Sequence, residues 1–155
     1  EANADEADSD EEEAAEAEAD EAEAELEAAI EVENDLRSEI VTYALQFVGN
    51  RYKYGGTNPN TGVDCSGFTS YVMRHAAEVE LPHSSGGQSR MGRQVSSSEM
   101  RPGDIICYGS GKKINHVALY IGNGQIVHAS TERTGIKVSR WNYRTPVRIV
   151  NVLGD

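Results

Sequence analysis

A cysteine and two histidines carry the chemistry available to this sequence. Cys65 lies within Asp64-Cys65-Ser66-Gly67-Phe68, and His116 and His128 follow far downstream in short apolar runs. A thiol becomes a useful nucleophile when a general base takes its proton and a further group holds that base in one tautomer. One cysteine and two histidines are the smallest set that meets those needs. The pattern around Cys65 also predicts that it opens a helix, where unpaired backbone N–H groups favour a thiolate. Cys107, in Ile105-Ile106-Cys107, has no helix terminus beside it and reads as a small core residue.

The elements that must position these residues follow from periodicity. Asp64 can cap a helix whose Phe68, Tyr71, Val72, Ala76 and Val79 recur on one face. Leu81-Pro82 ends it, and His83 to Ser98 reads as polar loop. Five strands follow, at Ile105–Tyr108, His116–Ile121, Gln125–Ala129, Ile136–Arg140 and Val147–Val152. Helices first and then a run of antiparallel strands is the α+β pattern. In the strand of His116, Val117, Leu119 and Ile121 face a core, so His116 shares the other face with Ala118 and Tyr120. The link Gly122-Asn123-Gly124 then decides the fate of the pair. A two-residue turn at Asn123-Gly124 sets Leu119 opposite His128 and sends the histidines to opposite faces. A three-residue link sets Ala118 opposite His128 and brings both to one face. Spacing alone leaves both registers open. His75, in the helix, and His83, in the loop, read as structural or surface residues. Cys65, Cys107, His116 and His128 contain no close-spaced ligand pair, so neither a zinc site nor any other cofactor is expected.

Charge divides the 155 residues in two. Residues 1–39 hold nineteen acidic residues and one basic residue, Arg37, for a charge of −18, whereas residues 40–155 carry a balance of +6 within the net −12. We therefore expect an acidic arm over residues 1–37 and a mildly basic domain over residues 38–155. Residues 1–25 are nearly all Glu, Asp and Ala, a composition of solvated helix or linker. From Leu26, apolar residues return through Ala29, Ile30, Leu36, Ile40, Tyr43, Ala44 and Phe47, which predicts a helix over 26–48 ended by Gly49. The arm reads either as a spacer or as a segment that contacts the basic domain. Lys and Arg are scattered rather than clustered, which argues against nucleic acid and suits a carboxylate-bearing polymer. No apolar run reaches membrane-span length. A chain beginning Glu-Ala-Asn reads as a mature or excised fragment.

Six motifs together resemble the NlpC-type cell-wall peptidases. They are Tyr52-Lys53-Tyr54-Gly55-Gly56, Asp64 to Phe68, Leu81-Pro82-His83-Ser84-Ser85-Gly86-Gly87-Gln88, Arg101-Pro102-Gly103-Asp104-Ile105, His116 to Gly124 and Ile126-Val127-His128-Ala129. The resemblance covers residues 38–155 and leaves the acidic arm outside it. It implies a papain-like fold, with N-terminal helices packed on a central antiparallel sheet of about five strands. It also implies hydrolysis of peptidoglycan stem peptides at the bond between D-glutamate, through its γ-carboxyl, and the following diamino acid. In that reading Cys65 is the nucleophile, His116 the general base and acid, and His128 the residue that orients His116. Tyr52 and the Cys65 backbone N–H would serve the oxyanion, while Asp64, Ser66 and Ser85 would receive a free α-amino group of the substrate. Three positions depart from the family's habit. His83 stands where Arg is frequent, Tyr54 where Trp is frequent, and Cys107 where a bulkier residue is common.

The resemblance further implies a secreted or cell-wall-associated bacterial protein, acting as a monomer on stem peptides or muropeptides. Two rivals keep the same residues: an amidase or acyltransferase using the same thiol, and a catalytically silent module that binds cell wall.

Overall fold

Dense like charge does not prevent the N-terminal segment from forming helix. The structure, a computed structural model, describes residues 10–155, with side chains from residue 17 onward. Helix α1 runs Asp10–Leu45, longer than the 26–48 expected, because alanine and glutamate favour helix and no glycine or proline interrupts them. The part of residues 1–25 that precedes Asp10 lies outside the described residues. Two compact units divide at Asp35 and Leu36. In the first, the helical stripe of apolar residues is exposed rather than packed: Leu26 is 61% and Ile30 45% exposed. The stripe turns inward only from Leu36.

The second unit, Leu36–Asp155, continues through a small hairpin of β1 (Thr57–Asn58) and β2 (Gly62–Val63) to α2 (Cys65–Ala77) and α3 (Ser85–Ser89). Then come β3 (Arg93–Gln94), β4 (Ile105–Ser110), β5 (Lys113–Gly122), β6 (Gln125–Thr131), β7 (Gly135–Arg140) and β8 (Pro146–Asn151). The last six form one antiparallel sheet in the order β3-β8-β4-β5-β6-β7. The five strands read from sequence are present, and β3 adds a two-residue edge that the His83–Ser98 loop conceals. That same loop holds α3, capped by Ser84 through the Gly87 N–H. Helix α2 ends before Leu81-Pro82: Glu78 takes a left-handed conformation at φ 56° and closes it.

The sheet is apolar on both faces. One face packs Ile105, Cys107, Val117, Leu119, Val127, Ala129 and Val150 against Ile40, Ala44 and Phe47 of the first helix and its exit and against Phe68, Val72 and Met73 of α2. The other gathers Ile106, Tyr108, Ala118, Tyr120, Ile126 and Ile149 around Val95. The face shared by His116 is therefore a second core and not a solvated surface.

Arg37, which the charge division placed in the arm, is built into this unit. Its Nη1 donates to Asp104 Oδ1 at 3.0 Å and to the Pro102 carbonyl at 2.8 Å, and its Nη2 and Nε reach the Asp155 carboxylate. Arg37 and Asp104 are 2% and 1% exposed. Burial raises the Asp104 carboxyl, whereas Arg37, Asn151 and Arg101 overcome burial at Asp155 and hold it at about 2. Removing the guanidinium strands a buried carboxylate, which costs about 3 kcal/mol or more. Denaturant titration of Arg37→Met should therefore show a loss of about 3 kcal/mol; a loss below about 1 kcal/mol would mean that Asp104 is adequately satisfied by the Arg101 N–H alone.

Candidate active site

Cap chemistry places the thiol. Asp64 Oδ1 accepts from the Gly67 N–H at 2.9 Å, so Cys65 is the first residue of α2. Gly67 allows the preceding turn to sit directly on that helix start: a Cβ here would lie 2.2 Å from the Gly56 carbonyl oxygen. The turn carries Tyr52, which bridges Val63, and burial followed by the neighbouring Cys65 sulfur raises its phenol pKa. Burial likewise raises the Cys65 thiol, against the opposing pull of the Val117, Ser66 and Cys65 N–H groups and with a further push from Asp64. The Val117 N–H is among the groups that favour the thiolate, which places Cys65 beside the residue that follows His116 on β5.

The two histidines meet. His116 Nε2 and His128 Nδ1 are 2.7 Å apart, and His128 Nε2 is 2.9 Å from Ser139 Oγ. The register that achieves this combines features of both alternatives. The connection is a two-residue turn, with Gly122 paired to Gln125 and Asn123 left-handed at φ 55°, but a bulge between Tyr120 and Gly122 inserts one residue. Leu119 therefore pairs with Val127, and the same register continued sets Ala118 level with His128.

Burial controls both imidazoles. His116 is 9% and His128 1% exposed. Burial, aided by Arg144, lowers His116 from 6.5 to about 4; burial, aided by His116 and Lys137, lowers His128 to about 3. Thiol and imidazoles are thus all neutral in the resting protein near pH 7. Tyr108 and Tyr143 wall the pair, with ring centroids 6.0 Å from His116 and 5.3 Å from His128 respectively.

The expected amine receptor looks different in the structure. Asp64 already has three donors, since His83 Nε2 lies 2.9 Å from Oδ1 and the Gly55 N–H donates to Oδ2 at 3.0 Å. His83 is thereby a partner of Asp64 rather than a bystander. Ser66 is buried, and its carbonyl accepts from Gln88 Nε2 at 2.9 Å. Ser85 opens α3 instead of lying in a loop. Among the described residues, no hydrogen bond joins the side chains of Asp64, Ser66 and Ser85 to one another. Cys107 is fully buried, and burial pushes its thiol up to about 12, so it is inert core.

Ser139, Tyr143 and Gln88 escaped the sequence reading. Ser139 shares the face of His128 because Ile126 pairs with Ser139 and His128 with Lys137; only the β6–β7 register could have exposed it. Tyr143 stands in a connection without periodicity. Gln88 is fully buried and bonds Ser70, Thr69, Ser66 and Pro82, seating α3 on the first turns of α2. A polar side chain that closes a core leaves no trace in an apolar pattern, and only its place in a motif marks it.

Known proteins resemble this chain in sequence and fold. The family profile described as NlpC/P60 family matches residues 49–149. Murein DD-endopeptidase MepS/Murein LD-carboxypeptidase of Escherichia coli strain K12 is 41% identical over 70% of this chain and 56% of its own. A probable endopeptidase NlpC homolog of Haemophilus influenzae is 40% identical over 61% of this chain and 49% of its own. The chain therefore spans about half the length of these curated relatives. The crystal structure of the NlpC/p60 domain of peptidoglycan hydrolase SagA superposes with a TM-score of 0.68 at 32% identity, covering 74% of this chain and 97% of that one.

Both histidines have folded-state pKa values below 6.5, so the folded protein binds fewer protons than the unfolded chain. Their contribution to stability is complete above pH 6.5 and is lost as pH falls toward 4 and then 3. By pH 4 His116 alone accounts for about 3 kcal/mol. Thermal midpoints should fall steeply between pH 7 and 4.5, and His128→Asn should flatten that dependence. A midpoint unchanged over this interval would contradict the dry, neutral pair.

Proposed function

The chain belongs to the NlpC/P60 family, and from that premise we propose that it is a peptidoglycan endopeptidase using Cys65 as nucleophile. One observation carries the reading: a thiol at the start of α2, one residue from a His116–His128–Ser139 hydrogen-bonded relay. The relay fixes the tautomers in this mechanism. Ser139 Oγ accepts from His128 Nε2–H, His128 Nδ1 accepts from His116 Nε2–H, and His116 Nδ1 keeps the lone pair that takes the thiol proton. Because burial keeps both histidines neutral, the proton moves as the sulfur attacks rather than beforehand. The carbonyl carbon becomes tetrahedral, its oxyanion faces the Cys65 N–H and Tyr52, and the departing amine receives the proton from His116. Water then hydrolyses the thioester with His116 acting as base.

The bond assigned is the γ-D-glutamyl–diamino acid link of stem peptides, with Asp64, Ser66 and Ser85 receiving a free α-amino group. The substrate's ammonium would replace His83 at Asp64 rather than a backbone N–H, because the His83 side chain is 35% exposed while the other two donors hold the helix start and its turn. A second reading rests on the 41% identical relative named as a murein DD-endopeptidase, and places the cut at the D,D cross-link. The domain of residues 38–155, extended to include Arg37, acts as a monomer outside the cytoplasm or at the cell wall, with the residues before it as an arm. Within the described residues no helix is long and apolar enough to cross a membrane.

Mass spectrometry of products from defined muropeptides separates the two bonds and also an amidase or acyltransferase. Cys65→Ala should abolish cleavage while keeping the fold; retained cleavage refutes the thiol mechanism. His116→Ala should cost on the order of a thousandfold in kcat, and His128→Ala roughly tenfold to a hundredfold. Equal losses would give His128 more than an orienting role. A silent wall-binding module would show no cleavage before any substitution.

A further inference from the structure

A cavity of about 500 Å³ opens on the side of the domain where α3 faces the β4–β5 turn and β8. Its lining is Gly86, Ser89 and Arg90 from α3 and its cap, Lys112, Lys113 and Ile114 at the turn, and Val147 and Arg148 on β8. Four of these side chains are cationic and none is acidic. No carboxylate lies within ion-pair distance of Arg90, Lys112, Lys113 or Arg148 among the described residues. Four like charges around a concavity repel one another, and the arrangement is relieved when an anion enters.

Arg148 adds an independent sign. Its Nη1 is tied to Gln94 Oε1 at 2.8 Å, yet its Nε is buried with no hydrogen-bond partner among the described residues. A buried N–H without an acceptor is costly, and a guanidinium with one arm fixed is already oriented for an incoming oxyanion. Ser89 and the small Gly86 leave room for the ligand beside it. The cavity lies near the candidate active site: Ile114 is two residues from His116 on β5, about 7 Å along a strand.

We propose that this cavity is an oxyanion site that holds carboxylates of the peptidoglycan stem peptide, away from the scissile bond, by charge-assisted hydrogen bonds from Arg148 and Arg90 and by the field of Lys112 and Lys113. It rests on the peptidase reading for the identity of the ligand, but not for the existence of the site. Held there, the anionic part of a substrate is anchored by the strand that carries the general base, so binding affinity depends on charges that take no part in the chemistry.

The test uses the full chain with Cys65→Ala to prevent turnover, titrated calorimetrically with a soluble disaccharide–tetrapeptide fragment and with the same fragment amidated at its carboxylates. Lys112 and Lys113 are exposed, so Lys112→Gln/Lys113→Gln should fold normally. The double variant should weaken binding of the free-carboxylate fragment about tenfold, on the order of threefold per exposed cation, and should flatten its salt dependence. The amidated fragment should bind weakly and indifferently to the substitution. Equal affinities in parent and double variant would overturn the site. Inorganic phosphate, titrated in parallel, tests the ligand class. If it binds more tightly than the fragment and loses that affinity in the double variant, the carboxylate assignment is overturned in favour of a phosphate-bearing ligand. Turnover separates this inference from the peptidase reading. With the thiol intact, the double variant should raise KM and leave kcat unchanged, whereas failure of the parent chain to cleave any fragment would sink the peptidase reading and leave the binding result standing.

Discussion

The hydrogen bond between His116 Nε2 and His128 Nδ1 is the constraint on which the site depends. It needs two strands in one register, and that register comes from a single inserted residue between Tyr120 and Gly122. Without the bulge, the two-residue turn would set the strands one position out, and His128 would enter the opposite core. The insertion is therefore not a local irregularity. It converts a tight turn, which favours firm strand pairing, into a pairing that brings two imidazoles to one face.

The position of that face has an energetic consequence. Both sides of the sheet are apolar, so the relay is embedded in a second core and not laid on a surface. Neutral imidazoles can be buried there because three of their four ring nitrogens, His116 Nε2 and both of His128, have partners, ending at Ser139. Protonating either ring would leave a charge among Tyr108, Tyr143 and apolar side chains. Hence the thiol and both imidazoles start uncharged, and in the proposed mechanism the N–H donors of the site remain available for the charge that develops during attack. A resting ion pair would already occupy those donors.

Much of the fold could be read from the sequence because its signals were periodic. Alternation located the five main strands, and Asp64 with the apolar stripe after it placed Cys65 at a helix start. Signals failed where structure is held by polar closure. Gln88 and Ser139 are small parts of the sequence pattern but fix α3 on α2 and the end of the relay. Composition failed differently at Arg37. The residue stands amid acidic neighbours in sequence, yet its charge is used against Asp104 and Asp155, which lie far along the chain. Leu26 and Ile30 show the converse: apolar residues at helical spacing mark the helix, but helix formation alone does not require their burial.

The cysteine stretch shows why capping and catalysis converge on the same few residues. A helix start exposes N–H groups that favour negative charge, and it also needs an acceptor to satisfy them. Asp64 supplies the acceptor one residue before the thiol, where its own negative charge opposes formation of a thiolate. Moving the cap elsewhere would remove that penalty but loosen the helix start against the Gly56 turn. The arrangement favours position over acidity: the thiol is held firmly and stays protonated at rest, and in the proposed mechanism it relies on His116 for activation. Under that mechanism the thiol is coupled to the register of the distant strands, so helix and sheet must both be in place before the site could act.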